Sequence, residues 1–389
     1  LTPYKWDDTS FQKIKFTGGV NMIPVINHNE LQSLLPRTYE KHLPVFVWGT
    51  FGIGKSVAVS DFGKKQAEKL GLKYSEDPND LNDEKVFLVL KIALHQFDAA
   101  ELKGIPVPNM ETKQTVFFPT GMLPIKGQGI IFFDELNLAP PLVQANAYQL
   151  ILDRRLGNYQ VPDGFVALAA GNTIEDRAHV QEMALPLKNR FGHLKLAVPT
   201  AKEWAENFAI PRGLDQRIVN FVMGREDLLH KYNPDMMEEV YAVPTPRTWE
   251  FAAIAINGLE DEEQVERFVG MYVSSPIATE FSAWTRLAKK IDIDKIFKDK
   301  KIDAVPKEIS EIYALISAVV GYYQKKMSDK KAAEYAETLT DLLPAFNAEH
   351  ATFVLYQAQQ IDKGFFDKLR KNCPEKLKAL GKKYVKFLI

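Results

Sequence analysis

Residues 45–56 read Val45-Phe46-Val47-Trp48-Gly49-Thr50-Phe51-Gly52-Ile53-Gly54-Lys55-Ser56, an apolar run passing directly into a glycine-rich turn closed by a lysine and a hydroxyl. The run predicts a strand, and the residues from Val57 onward predict a helix, so both flanks required of a phosphate loop are present. Glycines let the main chain curl until successive N–H groups face one point, and the helix N-terminus adds its positive dipole end. Residues Gly49, Thr50, Phe51, Gly52, Ile53, Gly54, Lys55 and Ser56 are therefore the candidate cradle for a nucleotide. Lys55 is expected to reach the β- and γ-phosphates, and Ser56 to offer a hydroxyl to magnesium, a hard cation that takes oxygen ligands. ATP with Mg2+ is the implied pair. A glycine-rich surface turn is the alternative reading.

Outward from this loop, five apolar runs alternate with helical or loop segments: Val45 to Trp48, Phe87 to Leu94, Gly129 to Phe133, Phe165 to Ala170, and Leu194 to Val198. Short, continuously apolar strands of this kind predict an α/β fold with a parallel sheet covered on both faces. The third run ends in Asp134 and Glu135. Ligands of open parallel sheets bind at the carboxyl ends of the strands, so the pair stands where a nucleotide would. Asp134 fits the carboxylate on the magnesium side, and Glu135 the base that polarises an attacking water. A helix cap is the competing role for such a pair. The fourth run ends in Asn172, whose amide could hold water between Glu135 and the γ-phosphate, or could form an Asx turn.

The chain has 389 residues, more than one hydrophobic core usually spans, and a net charge of -1. No global field draws such a molecule to nucleic acid or to an anionic membrane. The single cysteine, Cys373, forms no internal disulfide, and no run of about 18 apolar residues is present. A cytoplasmic protein without membrane insertion is expected. The seven histidines show no pair at metal-ligand spacing, so no zinc site is expected.

Beyond Thr200 helical periodicity takes over, in Ala201 to Phe208, Leu214 to Tyr232, Thr248 to Ile256 and Glu262 to Lys289. Asn29 to Tyr39 is also predicted helical. Near the end, Ile309, Ile312, Ile316, Val319 and Tyr323 recur at spacings of three and four, predicting an amphipathic helix. The stretch Lys289 to Lys301, rich in Lys and Asp, is the best linker candidate. The expected organisation is an N-terminal arm (1–27), a nucleotide-binding core (28–200), a helical lid (201–289) and a helical C-terminal module (290–389). The basic residues from Lys363 to Lys386, interleaved with Phe365, Phe366, Tyr384 and Phe387, read as an amphipathic helix with a solvated face, with nucleic-acid binding as the alternative.

Taken together, these residues resemble the AAA+ superfamily, and within it the MoxR group related to midasin, dynein and magnesium chelatase, over roughly Pro44 to Lys289. Asp134-Glu135-Leu136-Asn137-Leu138-Ala139-Pro140-Pro141 resembles the MoxR signature D-E-I-N-R-A-P-P, with Leu138 where an arginine is usual. Arg154 to Gly164 resembles the hairpin that this clade inserts ahead of its sensor strand, and Phe97 to Pro119 resembles its insertion in the second helix, which faces the pore or top of a ring. Pro186-Leu187-Lys188-Asn189-Arg190-Phe191-Gly192 resembles the segment bearing the arginine finger; Arg177 is a weaker competitor. Pro244-Thr245-Pro246-Arg247-Thr248 resembles the start of the second-sensor helix.

The resemblance implies an AAA+ P-loop NTPase core with a five-stranded parallel sheet in the order 5-1-4-3-2, followed by an all-α lid and a helical C-terminal module. It implies an ATPase that assembles into a homo-oligomeric ring, a hexamer. Arg190 would enter the neighbouring subunit's ATP site, and Arg247 would contact the γ-phosphate from the lid. It further implies remodelling of a partner protein and a partner carrying a von Willebrand factor A domain. The alternatives are a nucleic-acid remodelling motor and a nucleotide-gated scaffold with slow turnover.

Overall fold

The computed structural model describes residues 23–98, 101, 104–111, 113–118, 121–173, 181, 183–232 and 241–384. Most of the expected arm, Arg177, and the last basic residue, Lys386, lie outside them. The chain divides into two units, 1–198 and 199–389.

In the first unit the strands are β1 (Val25–Ile26), β2 (Val45–Trp48), β3 (Lys73–Ser75), β4 (Val86–Ala93), β5 (Ile105–Asn109), β6 (Gln114–Phe118), β7 (Gln128–Asp134), β8 (Arg155–Leu156), β9 (Tyr159–Gln160), β10 (Phe165–Gly171) and β11 (Gly192–Leu196). Seven of them form one parallel sheet in the order β1-β11-β2-β10-β7-β4-β3. The central five are the five apolar runs, in the order 5-1-4-3-2. The expected strand count was wrong, because each edge carries one further strand. β1 has two residues and β3 three, too short to show any periodicity. Their pairing is plain in space, where Lys195 N–H donates to Pro24 O at 2.8 Å and Lys73 N–H to Lys85 O at 3.0 Å.

Side chains alternate along these strands, and both faces are covered. Val45, Val47, Phe87, Val89, Ile130, Phe132, Leu168 and Ala170 pack in one core with the helices α1 (His28–Glu40) and α2 (Lys55–Leu70). Phe46, Leu88, Leu90, Ile131, Phe133 and Ala169 pack on the other side with α3 (Pro141–Leu152) and α4 (Leu185–Lys188). The expected hairpin within Arg154 to Gly164 is present as the antiparallel pair β8 with β9, and the segment from Phe97 to Pro119 holds another, β5 with β6. The last sheet strand begins at Gly192 rather than Leu194 and stops at Leu196, and Val198 is exposed.

The second unit is helical. Its helices include Gln216–Gly224, Pro246–Ile256, Glu262–Val273, Ser275–Lys289, Ile293–Asp299, Ile309–Lys326, Ala332–Leu342, Ala348–Ile361, Phe365–Asn372 and Pro374–Tyr384. The single helix expected over 262–289 is two, because Ser274 takes a φ of 100° and Pro276 cannot continue the preceding turn. Within the supposed linker, Ile293–Asp299 is a helix whose Phe297 joins the same core as Trp249, Ile316 and Leu355. Of the amphipathic stripe, Ile316, Val319 and Tyr323 are fully buried and Ile309 is exposed.

One buried polar contact holds this core in register. Asn220 and Gln357 are both 0% exposed, and Gln357 Nε2 donates to Asn220 Oδ1 at 2.9 Å. Asn220→Ala should cost about 1–3 kcal/mol, since it strands the Gln357 amide without water. A denaturant midpoint unchanged in Asn220→Ala would show the pair to be idle.

Candidate active site

The loop between β2 and α2 owes its shape to two glycines with left-handed backbone, Gly52 at φ 72° and Gly54 at φ 92°. A side chain at either would strain the turn. Gly54 is also the N-cap of α2 and supplies no capping side chain, so a sixteen-residue helix starts at the loop with its positive dipole end uncapped by a side chain. Thr50 Oγ1 is buried without a hydrogen-bond partner. A curled main chain leading into a helix N-terminus suits phosphate oxygens.

Lys55 is only 8% exposed, and its Nζ donates to Gly49 O at 2.7 Å, Thr50 O at 2.8 Å and Asn172 Oδ1 at 2.9 Å. Ser56 Oγ donates to Asp134 Oδ2 at 2.6 Å, and Asp134 Oδ1 accepts from Glu135 N–H at 3.1 Å. Because β2, β10 and β7 are neighbours and parallel, their carboxyl ends bring Lys55, Asn172 and Asp134 to one sheet edge. Glu135 has a left-handed backbone, φ 53°, which turns the chain sharply at the strand end. His95, just past β4 on the next strand, places Nδ1 at 3.9 Å from Glu135 Oε2.

Asn137 is the residue the sequence reading passed over. It is 2% exposed, and its Nδ2 donates to the main-chain oxygen of Asn172 at 2.8 Å. Its Oδ1 is buried without a partner and occupies the space that a Cβ on Gly171 would fill; Phe46 Cζ stands 2.7 Å from the same point. Glycine at 171 therefore lets Asn137 grip the backbone beside Asn172. The hint in the sequence was its place two residues beyond the acid pair, as the asparagine of the segment that resembles D-E-I-N-R-A-P-P, to which no role was attached. A second unforeseen contact runs from Trp48 Nε1 to His193 Nδ1 at 2.9 Å, while His193 Nε2 donates to Lys188 O at 2.7 Å. A neutral imidazole with its proton on Nε2 satisfies both.

Arg190 does not join this constellation within one chain. It precedes β11, where Gly192 pairs with Val45, the first residue of β2, whereas the phosphate loop leaves from Trp48 at the other end. At about 3.3 Å per residue the strand alone sets them about 10 Å apart. Arg190 Nη2 donates to Tyr148 Oη at 2.6 Å, and its guanidinium carbon lies 5.0 Å from the Tyr148 ring centre. Arg247 belongs to the second unit, exposed in the first turn of Pro246–Ile256, which Thr245 caps through the Thr248 N–H at 3.2 Å. Burial raises the Glu250 carboxyl above its ordinary value, opposed by the charges of Arg212 and Arg247. In the hairpin between β5 and β6, Met110 is 83% exposed at the turn. Phe97 is partly buried against the sheet core, and the Phe118 side chain lies outside the described residues.

The donor set fits a magnesium nucleotide. Ser56 and Asp134 present two hard oxygens in contact, and Mg2+ binds through one or two such groups with substrate phosphates completing its shell. Among the described residues no group of three or more His, Cys, Asp or Glu could hold a metal by itself. No described helix is long and apolar enough to cross a membrane.

No family model matches the chain, and no curated protein matches its sequence. Among solved structures, NtrX from Brucella abortus in complex with ATP is 13% identical, with 93% of this chain and 70% of that one covered at a TM-score of 0.34. A point mutant of RuvB from Thermotoga maritima is 13% identical over 89% of this chain and 88% of that one, at 0.32. PCH-2 from C. elegans is 13% identical over 66% of each, at 0.29. The architecture is AAA+-like on its own geometry: a parallel sheet with β10 inserted between the loop strand and the acidic strand, followed by a helical unit.

Proposed function

We propose that this chain is an ATPase of the AAA+ superfamily, of the MoxR type, that hydrolyses ATP with Mg2+ and uses the energy to remodel a partner protein. The observation that carries the reading is the meeting of Ser56 with Asp134 at 2.6 Å, beside Lys55 held to Asn172 at 2.9 Å. Elements remote in sequence thus bring an ammonium, a hydroxyl with a carboxylate, and a side-chain amide to one edge, the set of groups that a magnesium nucleotide and an attacking water would need.

In this reading the N–H groups of Gly49 to Ser56 bind the phosphate chain, and Lys55 turns from its carbonyl acceptors to the outer phosphates. Ser56 and Asp134 hold the metal side, where Mg2+ when bound neutralises charge developing on the phosphate oxygens. Glu135 takes the proton of the attacking water, and Asn172 fixes that water's direction. Arg190, at the far end of the sheet from its own loop, is suited to the site of a neighbouring copy. That favours a ring, which we take as a hexamer, and Arg247 serves as the second sensor of its own chain. The lid is assigned to 201–289, the C-terminal module to 290–389, the setting to the cytoplasm, and the partner to a protein with a von Willebrand factor A domain.

The test is ATP turnover with Mg2+ by the purified chain, measured across protein concentration and with added protein or DNA. Turnover that rises with assembly supports the reading; stimulation by DNA alone would move it to a nucleic-acid motor. Arg190→Ala should lower turnover about 10³-fold or more. Mixed with Glu135→Gln subunits, it should recover activity, because some sites then pair an intact acid with an intact arginine. Inactive mixtures, with mixed assembly demonstrated, would remove Arg190 from the mechanism.

A further inference from the structure

Arg190 is partly buried, yet among the described residues it has no anionic partner. Of its five N–H donors, Nη2 meets a neutral phenol, and Nε is buried with none. A guanidinium left with unmet donors at the wall of a cavity of about 130 Å³ is held where its own subunit satisfies it poorly. The cavity is lined by Pro44, Ile131, Phe133 and Ile151 among others, and Arg154, which also faces it, is occupied with Phe165 O and Pro162 O. Tyr148 engages Arg190 twice, through its hydroxyl and through its ring face.

We infer that Tyr148 is a latch that keeps Arg190 folded into its own subunit until a phosphate group from the neighbouring copy draws it out. The inference rests on the reading of Arg190 as the residue that completes the neighbour's site. Its physical basis is a competition. A neutral phenol and a ring face hold the guanidinium well enough to define its resting place, and an oxyanion, which accepts two charge-assisted hydrogen bonds at once, outcompetes them. The latch also sits on a telling element. α3, which carries Tyr148, is entered from the strand end that bears Asp134 and Glu135, and Gln144 Nε2 pins its start to Ala139 O at 2.9 Å. The acid pair of one site and the keeper of the arginine for the next are thus a single continuous stretch of chain.

The test uses assembled full-length protein and five chains: wild type, Tyr148→Phe, Tyr148→Leu, Arg190→Ala and the double variant of Tyr148→Phe with Arg190→Ala. Tyr148→Phe keeps the ring and loses only the hydroxyl, so it preserves the packing of α3. Freed of that bond, Arg190 is released more often, and kcat should rise about three- to tenfold, the size of one hydrogen bond, with KM for ATP unchanged. Tyr148→Leu, which also removes the ring face, should raise kcat further, its melting temperature reporting any loss of folding. In the Arg190→Ala background the Tyr148→Phe substitution should have no effect. A kcat unchanged or lowered in Tyr148→Phe, with Arg190→Ala inactive, overturns the latch alone. Wild-type turnover by Arg190→Ala overturns the reading beneath it, and the latch falls with that reading.

Discussion

Lys55→Ala should lose ATP affinity by about 100-fold or more, the equivalent of two charge-assisted hydrogen bonds at about 1.5–3 kcal/mol each. The ammonium now bonds two loop carbonyls and the Asn172 amide, so a phosphate replaces partners rather than filling a void. Removing it has two effects, one on the bound nucleotide and one on the stability of the empty loop. The nucleotide loses its cation, and the carbonyls of Gly49 and Thr50 are left turned inward in a buried loop with nothing to accept from. Lys55→Met restores the bulk of the side chain but neither its charge nor a donor for those carbonyls, so it should lose affinity as Lys55→Ala does. Fluorescent-nucleotide titration reads both variants. Affinity equal to wild type in Lys55→Ala would mean that phosphates do not enter this loop.

Glu135→Gln should bind ATP within about threefold of wild type and turn it over about 10²–10⁴-fold more slowly, the usual contribution of a general base. The substitution changes one oxygen to an amide, and glutamine is no worse suited than glutamate to the left-handed backbone at φ 53°. The contact with His95 at 3.9 Å survives as a neutral one. Because Asp134 and Ser56 remain, the metal side is undisturbed, and the loss falls on kcat alone. Single-turnover hydrolysis separates the chemical step from product release. Undiminished hydrolysis would assign the base elsewhere, with His95 the next group at that edge.

Much of this site was legible in the sequence because a phosphate loop is a main-chain device with a fixed spacing, and because buried parallel strands write themselves as apolar runs. Asp134 and Asn172 were found by their position at the ends of such runs. What escaped has physical reasons. β1 and β3 are held by pairing at the sheet edges, not by their own composition. The break at Ser274 depends on one backbone angle. Phe297, with Ile291, Ile293 and Ile296 packed against the same core, makes a supposed linker part of that core although Lys and Asp dominate its composition. Asn137 is an amide among apolar neighbours whose partner lies 35 residues away, a distance no local pattern spans. The resting place of Arg190 follows from a tyrosine on another helix and had no trace in the segment that carries it.

The close approach at Gly171 has a consequence for how this sequence can drift. A methyl there would collide with the Asn137 amide and the Phe46 ring, both sealed from solvent and unable to move aside. Position 171 therefore cannot enlarge by a single step while Asn137 and Phe46 stand as they do. In any relatives of this chain the two positions should covary, a residue larger than glycine at the first occurring only with a smaller one at the second.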